Sequence, residues 1–496
     1  MLKRTVSEKV VVRWIAAFLA LAVIASACGS RDDDPAATET ADPAPAASED
    51  TPSDPPEDTP DGTEPGDTTP EVTEPPEPDV CDVELEATEI GVTADTIKVI
   101  VMADSDNPLA PGLFDGARDG ALAWAANLNE RGGIACRTVE IEFWDSQLNQ
   151  TATTNGFLRA CSEALALVGT TVLFGTDTTD LTTCPDQAGN PTGVPDLAYI
   201  TTEVPHQCSS VSFHLSRPGV ECPYEGGERD AVAAVGAVQY LLDQNGGDLR
   251  GLFLVPGDLP STTVSAIPQI AGHEAIGVVY DKAYGISGLD PQSAFTPYVA
   301  TMRENDLNFV YNGSNDAAMS NLLSEAADQG FDVDSVTWLC SLACYTPSYL
   351  ENGDKVEGTY VWLFFLPFEE TDTNAELAAF MDAIDTDFPA AWAAGAWGDG
   401  ILFEQVVNQI VEADGPNALT RARLLEELRA TDSFDVNGWW GTADFTTTLT
   451  IADCFVLLQV QNNEFVRVFP AERGTLDCET EPIPVTVNPD TFTPDS

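Results

Sequence analysis

The stretch from Ile97 to Gly175 constrains the fold more than any other part of the chain. Ile97-Lys98-Val99-Ile100-Val101-Met102 is an almost unbroken apolar run, as expected of a strand buried on both faces of a parallel sheet. A polar loop from Ala103 to Pro108 follows. Phe114, Ala117, Ala121, Trp124, Ala125 and Leu128 then recur at three- and four-residue spacing and share one helical face. Gly132-Gly133 closes that helix. Val139–Trp144 reads as a second strand, Phe157–Leu167 as a second helix and Thr171–Phe174 as a third strand. Alternation at this length predicts βαβ units, whose ligands sit at the carboxyl ends of the strands.

The N-terminal residues stand outside this pattern. Lys3, Arg4, Lys9 and Arg13 precede an apolar run, Trp14 to Ile24, of signal-peptide length. Ala25-Ser26-Ala27-Cys28 resembles a bacterial lipobox, which implies cleavage after residue 27 and a lipid on Cys28. Ordinary signal cleavage nearby is the other reading. Residues 28–80, rich in Pro, Thr, Asp and Glu, hold too little apolar surface to offset chain entropy. They read as a disordered, extended tether. No transmembrane helix is expected after residue 28. The formal charge of −60 makes nucleic acid and anionic lipid poor partners, so membrane contact would come through the anchor alone.

Of eleven cysteines, ten follow Cys28, an even number that suits disulfides in an exported chain. Connectivity does not follow from sequence. Pairing sequence neighbours would give Cys81–Cys136, Cys161–Cys184, Cys208–Cys222, Cys340–Cys344 and Cys454–Cys478. His206, His214 and His273 show no ligand spacing, so no metal and no cofactor is expected.

Asp196–Ile200 predicts a fourth strand, and the segment around Cys208–Gly227 breaks the rhythm. A helix from about Arg229 to Gln244 leads into a second βαβ series. Its strands are expected at Leu252–Val255, Ile276–Tyr280, Asn308–Tyr311, Ser335–Leu339 and Val361–Leu366, with helices between. Helices at 374–388, 391–412 and 419–430 follow, with Glu369-Glu370 as a solvated loop before them. A hairpin closes the pattern, its strands at about 449–460 and 465–468 around Asn462-Asn463. Two Rossmann-like α/β lobes with parallel sheets, and a cleft between them, are the simplest account.

The order of elements resembles the type I periplasmic binding proteins, in particular the branched-chain amino acid receptors of ABC importers. The likeness is carried by Ile97–Val101, Gly116–Ala121, Leu128–Gly133, Val139–Phe143 with Asp145, Phe295–Tyr298, Gly358–Tyr360, Phe434–Gly441 and the closing hairpin. The resemblance implies two lobes joined by a hinge and crossed three times. Lobe one would take 90–210 plus 345–440, and lobe two 211–344 plus 441–478, leaving 479–496 as a flexible tail. Cys161–Cys184 matches a position where such receptors often hold a disulfide.

The implied function is extracytoplasmic capture of an amino acid, or a related amide or carboxylate, and delivery to an ABC permease. Closure would be a population shift driven by the ligand's better contacts in the closed state. Ser105, Thr176, Thr201 and Thr202 follow lobe-one strands and are candidate donors to a ligand carboxylate or carbonyl. Helix capping and turn chemistry call for the same residue types. Asp258, Asn315 and Tyr345 follow lobe-two strands, Asp258 being placed for an ammonium group, and Tyr224 is a candidate for stacking on an apolar part. A sensor of the same fold, acting with a signalling partner, is the alternative. A surface adhesion protein would lack a small-molecule pocket. No G-x-S-x-G, H-E-x-x-H or phosphate loop points to an enzyme.

Overall fold

The computed structural model describes residues 81–107, 111–216, 218–258, 260–452, 454–491 and 494. The expected signal peptide, Cys28 and the tether lie outside the described residues.

Five parallel strands make the first sheet: β1 (Thr96–Ala103), β2 (Thr138–Asp145), β3 (Ala166–Val172), β4 (Asp196–Thr201) and β5 (Ser212–His214). Their order is β2-β1-β3-β4-β5. From Val99 to Ala103 every residue of β1 is buried, which is the physical content of its apolar run. The helix Gln150–Glu163 starts where Asn149 accepts the N–H groups of Thr151 and Ala152 at 2.9 and 3.1 Å. It ends at Glu163, because Ala164 is already extended. The expected second helix therefore starts and stops too late: Ala166–Val168 belongs to β3. A short apolar run fits helix and strand equally by periodicity.

The second sheet holds β7 (Arg250–Pro256), β8 (Val279–Ile286), β9 (Phe309–Asn312), β10 (Thr337–Cys340), β11 (Tyr360–Leu363), β12 (Val456–Gln461) and β13 (Glu464–Phe469). Its order is β13-β12-β11-β10-β9-β7-β8. The last two strands run antiparallel, as the hairpin predicts. Lobe boundaries need correction here. β11 pairs with β10 and β12, so the chain stays with the second sheet past residue 345. β5 pairs with β4, so the first sheet extends past residue 210.

The helix Ala391–Asp414 returns to the first sheet and packs beside the helix Asp115–Glu130. Gly120 permits the approach, since a Cβ there would lie 2.1 Å from Ala393 O. Trp124 Nε1 also donates to Glu404 Oε1 at 2.8 Å.

Three further expectations need correction. Arg229–Ala233 is not helical but forms β6, with alternate residues buried, and the helix there covers only Gly236–Gln244. β6 pairs antiparallel with β14 (Ile483–Val487), so this part of the expected flexible tail is a strand. Of the expected solvated pair, Glu369 is exposed but Glu370 is not. Glu370 is 3% exposed and bonded to Arg467, and desolvation of the carboxyl group raises the pKa of Glu369, whose carboxylate accepts the Tyr345 hydroxyl.

All five disulfides join the cysteine pairs named above. Among the described residues no helix is long and apolar enough to cross a membrane.

Candidate functional site

A cavity of about 400 Å³ opens where the carboxyl ends of the two sheets meet. The first lobe contributes Phe114, Leu148, Leu173, Ile200, Thr202 and Trp392, and the second contributes Asp258, Thr262, Gln269, Leu289, Ser314 and Asn315. The walls are mostly apolar. Phe114 and Trp392 pack edge to face at 5.1 Å, which fixes one wall. A smaller cavity of about 180 Å³ adjoins it, sharing Ile200, Thr202, Ser265 and Gln269. A polar groove of about 520 Å³ beside Asn127, Arg131 and Glu376 takes its walls mainly from helices of one lobe, with Asn437 from a turn, so lobe closure would not enclose it.

Three sequence candidates meet at the larger cavity. Thr202 Oγ1 donates to Leu173 O at 3.2 Å and lies 3.0 Å from Ser261 Oγ, a contact between lobes. Asp258 Oδ2 accepts the Gly288 N–H at 3.0 Å. Asn315 caps a helix through the Ala318 N–H at 2.9 Å and donates to Gly288 O at 3.1 Å. Thr201 faces the smaller cavity, buried, with its hydroxyl unpartnered. Beside it, burial raises the Glu203 pKa while a Ser261 hydrogen bond opposes the rise.

The other four lie elsewhere. The Ser105 hydroxyl donates to Asp115, and its N–H donates to Asp145 at 3.0 Å. Thr176 is exposed and donates through both N–H and hydroxyl to Gln150 Oε1. The Tyr224 hydroxyl donates to Gly227 O at 3.1 Å, its ring against Arg229. Tyr345 is fully buried; its hydroxyl donates to Glu369 Oε2 at 2.5 Å and accepts the Phe368 N–H at 2.8 Å. For these, turn and core chemistry uses the groups that a ligand would need.

Sequence reasoning missed the apolar lining and Arg229. Trp392 and Leu289 carry no local signal, because apolar residues in helices and loops read as core.

Residues 96–464 match a family model described as periplasmic binding protein. The chain belongs to the periplasmic binding protein family. No curated protein matches this binding protein. Its fold is that of solved type I structures. One is a leucine-, isoleucine-, valine-, threonine- and alanine-binding protein from Brucella ovis in a closed conformation. It is 15% identical, with a TM-score of 0.60, covering 81% of this chain and 97% of that one. A leucine-binding protein from Thermotoga maritima is 15% identical, with a TM-score of 0.56 and coverage of 80% and 100%. A fatty acid ABC transporter substrate-binding protein from Thermomonospora curvata is 16% identical, with a TM-score of 0.56 and coverage of 78% and 97%. The binding protein thus shares an architecture with receptors described as holding chemically different solutes.

Proposed function

We propose that this binding protein captures a small molecule between its lobes and delivers it to an ABC importer. The ligand class is an amino acid or a related amide or carboxylate. The chain works outside the cytoplasm, held at the membrane by a lipid on Cys28. One observation carries the reading: the larger cavity draws its walls from strand-end loops of both sheets. A ligand there gains contacts from both sides only when the lobes approach, which is the differential affinity that closure needs. The hydroxyls of Thr202 and Ser265 and the amide of Asn315 already have partners inside the protein, so they place the walls and leave the rest to shape and apolar contact.

Thermal unfolding with amino acids, amides and small carboxylates tests the capture step. A ligand at about a hundred times its Kd adds about 2.7 kcal/mol. A melt that no compound of these classes moves would sink the reading. Uptake of the bound compound should fall when a permease encoded beside the gene is deleted, and unchanged uptake would remove the delivery step. A Cys28→Ser chain that stays in the membrane fraction would remove the anchor.

A further inference from the structure

Arg229 opens β6 with its guanidinium inside the protein. The residue is 4% exposed, and its Nε and Nη1 meet no acceptor. Its close neighbour is the Tyr224 ring, 5.0 Å from Cζ. The chain has 81 acidic residues against 21 basic ones, so acids are not scarce. Other buried arginines spend more of their donors: Arg137 on backbone carbonyls, Arg467 on Glu370, and Arg421 on backbone carbonyls through its Nη atoms, its Nε alone meeting no partner. Burial pushes the Arg229 pKa down, and the Tyr224 ring opposes the fall. A buried charge left unpaired is costly, and the fold keeps this one.

Arg229 lines the smaller cavity. Two further lining residues, Thr201 and Gln207, only 8% and 5% exposed, each hold a buried oxygen without a partner, Oγ1 and Oε1. Around them stand apolar side chains, among them Val232, Trp362 and Phe364. Among the described residues, the lining of the larger cavity has no basic residue, and Asp258 is its one acid. An anionic group entering this cleft thus has one favourable place.

We propose that Arg229 and Thr201 form an anion subsite and that the ligand is an apolar monocarboxylate. Its carboxylate lies on Arg229, and its hydrocarbon body passes the shared wall of Ile200, Thr202, Ser265 and Gln269 into the larger cavity. A guanidinium donates well to a carboxylate, and Nε and Nη1 are donors that meet no acceptor inside the protein. The Thr201 hydroxyl adds a third donor. Gln207 Oε1 is an acceptor and suits a hydroxyl or amino group beside the carboxylate. This assignment rests on the cleft reading above and narrows it.

Titration calorimetry and thermal unfolding of the full chain test it, with octanoate and 3-phenylpropanoate, their primary amides, and inorganic phosphate. At least one carboxylate should bind on the order of thirtyfold more tightly than its own amide. Arg229→Met should erase that preference and leave amide binding as it was, while Arg229→Lys should keep part of it. Without ligand, Arg229→Met should melt at or above the wild-type temperature, because an unpaired buried charge is gone. A lower melt would mean that the guanidinium is already partnered, and would overturn the subsite. Carboxylate binding unaffected by Arg229→Met would also overturn it and leave the cleft reading standing. Phosphate bound as tightly as octanoate would overturn the apolar body. If neither carboxylates nor amides bind, the subsite falls, and the amino acid screen decides whether the cleft reading falls with it.

Discussion

Asp104 Oδ2 accepts the backbone N–H of Leu173 at 2.8 Å, across the carboxyl ends of β1 and β3. Its Oδ1 accepts the Ser146 hydroxyl and the Leu148 N–H, both at 2.8 Å. One fully buried carboxylate therefore ties three loops, and two of the tied residues line the larger cavity. Burial raises its pKa, while the three donors pull it back. Asp104→Asn turns one acceptor into a donor facing donors. It should cost about 2–4 kcal/mol in urea unfolding and weaken ligand binding about tenfold. Wild-type values for both would show that the loops hold without it.

Thr202 and Ser261 meet across the cleft, so their hydrogen bond forms only when the lobes are close. Ser261→Ala should speed ligand release and weaken binding about two- to tenfold, the worth of one neutral hydrogen bond. Unliganded stability should hardly change, because each lobe keeps its own core. Stopped-flow release is the measurement, and an unaltered rate would remove this contact from closure.

Most of the fold was legible because buried parallel strands leave long apolar runs such as Ile97–Met102, and glycine marks where helices end. Cysteine pairing by neighbours also survived: four of the five pairs are separated by 24 residues or fewer, and Cys81–Cys136 by 55. In the site, strand-end loops pointed to Thr202, Asp258 and Asn315. Tyr345 lies elsewhere, because a loop's position does not reveal which way a side chain turns, and this one is buried with its hydroxyl on Glu369. Trp392 and Leu289 reach the cavity from distant parts of the chain, and nothing local separates a lining residue from a core one. Arg229 was hidden by a wrong assignment: read as helical, it had no reason to face inward, whereas the alternation of β6 points it there.

Arg467 grips Glu370 with two hydrogen bonds of 2.5 and 2.6 Å, both side chains under one-tenth exposed. Glu370 also accepts the Gly474 N–H at 2.8 Å, which pins the chain beyond β13. Glu370→Gln leaves a buried guanidinium without its charge partner and should cost about 3–5 kcal/mol. Glu370→Gln with Arg467→Met should recover much of that loss. Denaturant unfolding of both variants checks it. Equal losses in the single and double variants would show that packing, not charge, sets the cost.

His273 gives the chain an acid-sensitive element. It is fully enclosed; its Nδ1 lies 2.8 Å from the Tyr280 hydroxyl, and the rings of Phe253 and Tyr311 pack near it. Burial lowers its pKa from 6.5 to about 3. The imidazole is therefore neutral when folded but protonates near pH 6.5 once unfolded. Above that pH neither state binds the proton, and the group is neutral to stability. As pH falls from about 6.5 towards 3, the unfolded state takes up a proton that the folded state refuses, and stability drops by about 1.4 kcal/mol per pH unit. His273→Gln removes the titration while keeping a hydrogen-bonding side chain. Its stability at pH 7 should be somewhat lower than wild type, from altered packing, but its decline between pH 6 and 4 should be shallower by that slope. Urea unfolding of both proteins at closely spaced pH values separates this histidine from the acids common to both. Parallel curves would show that the ring is protonated equally in both states, and therefore that it is not sealed from water.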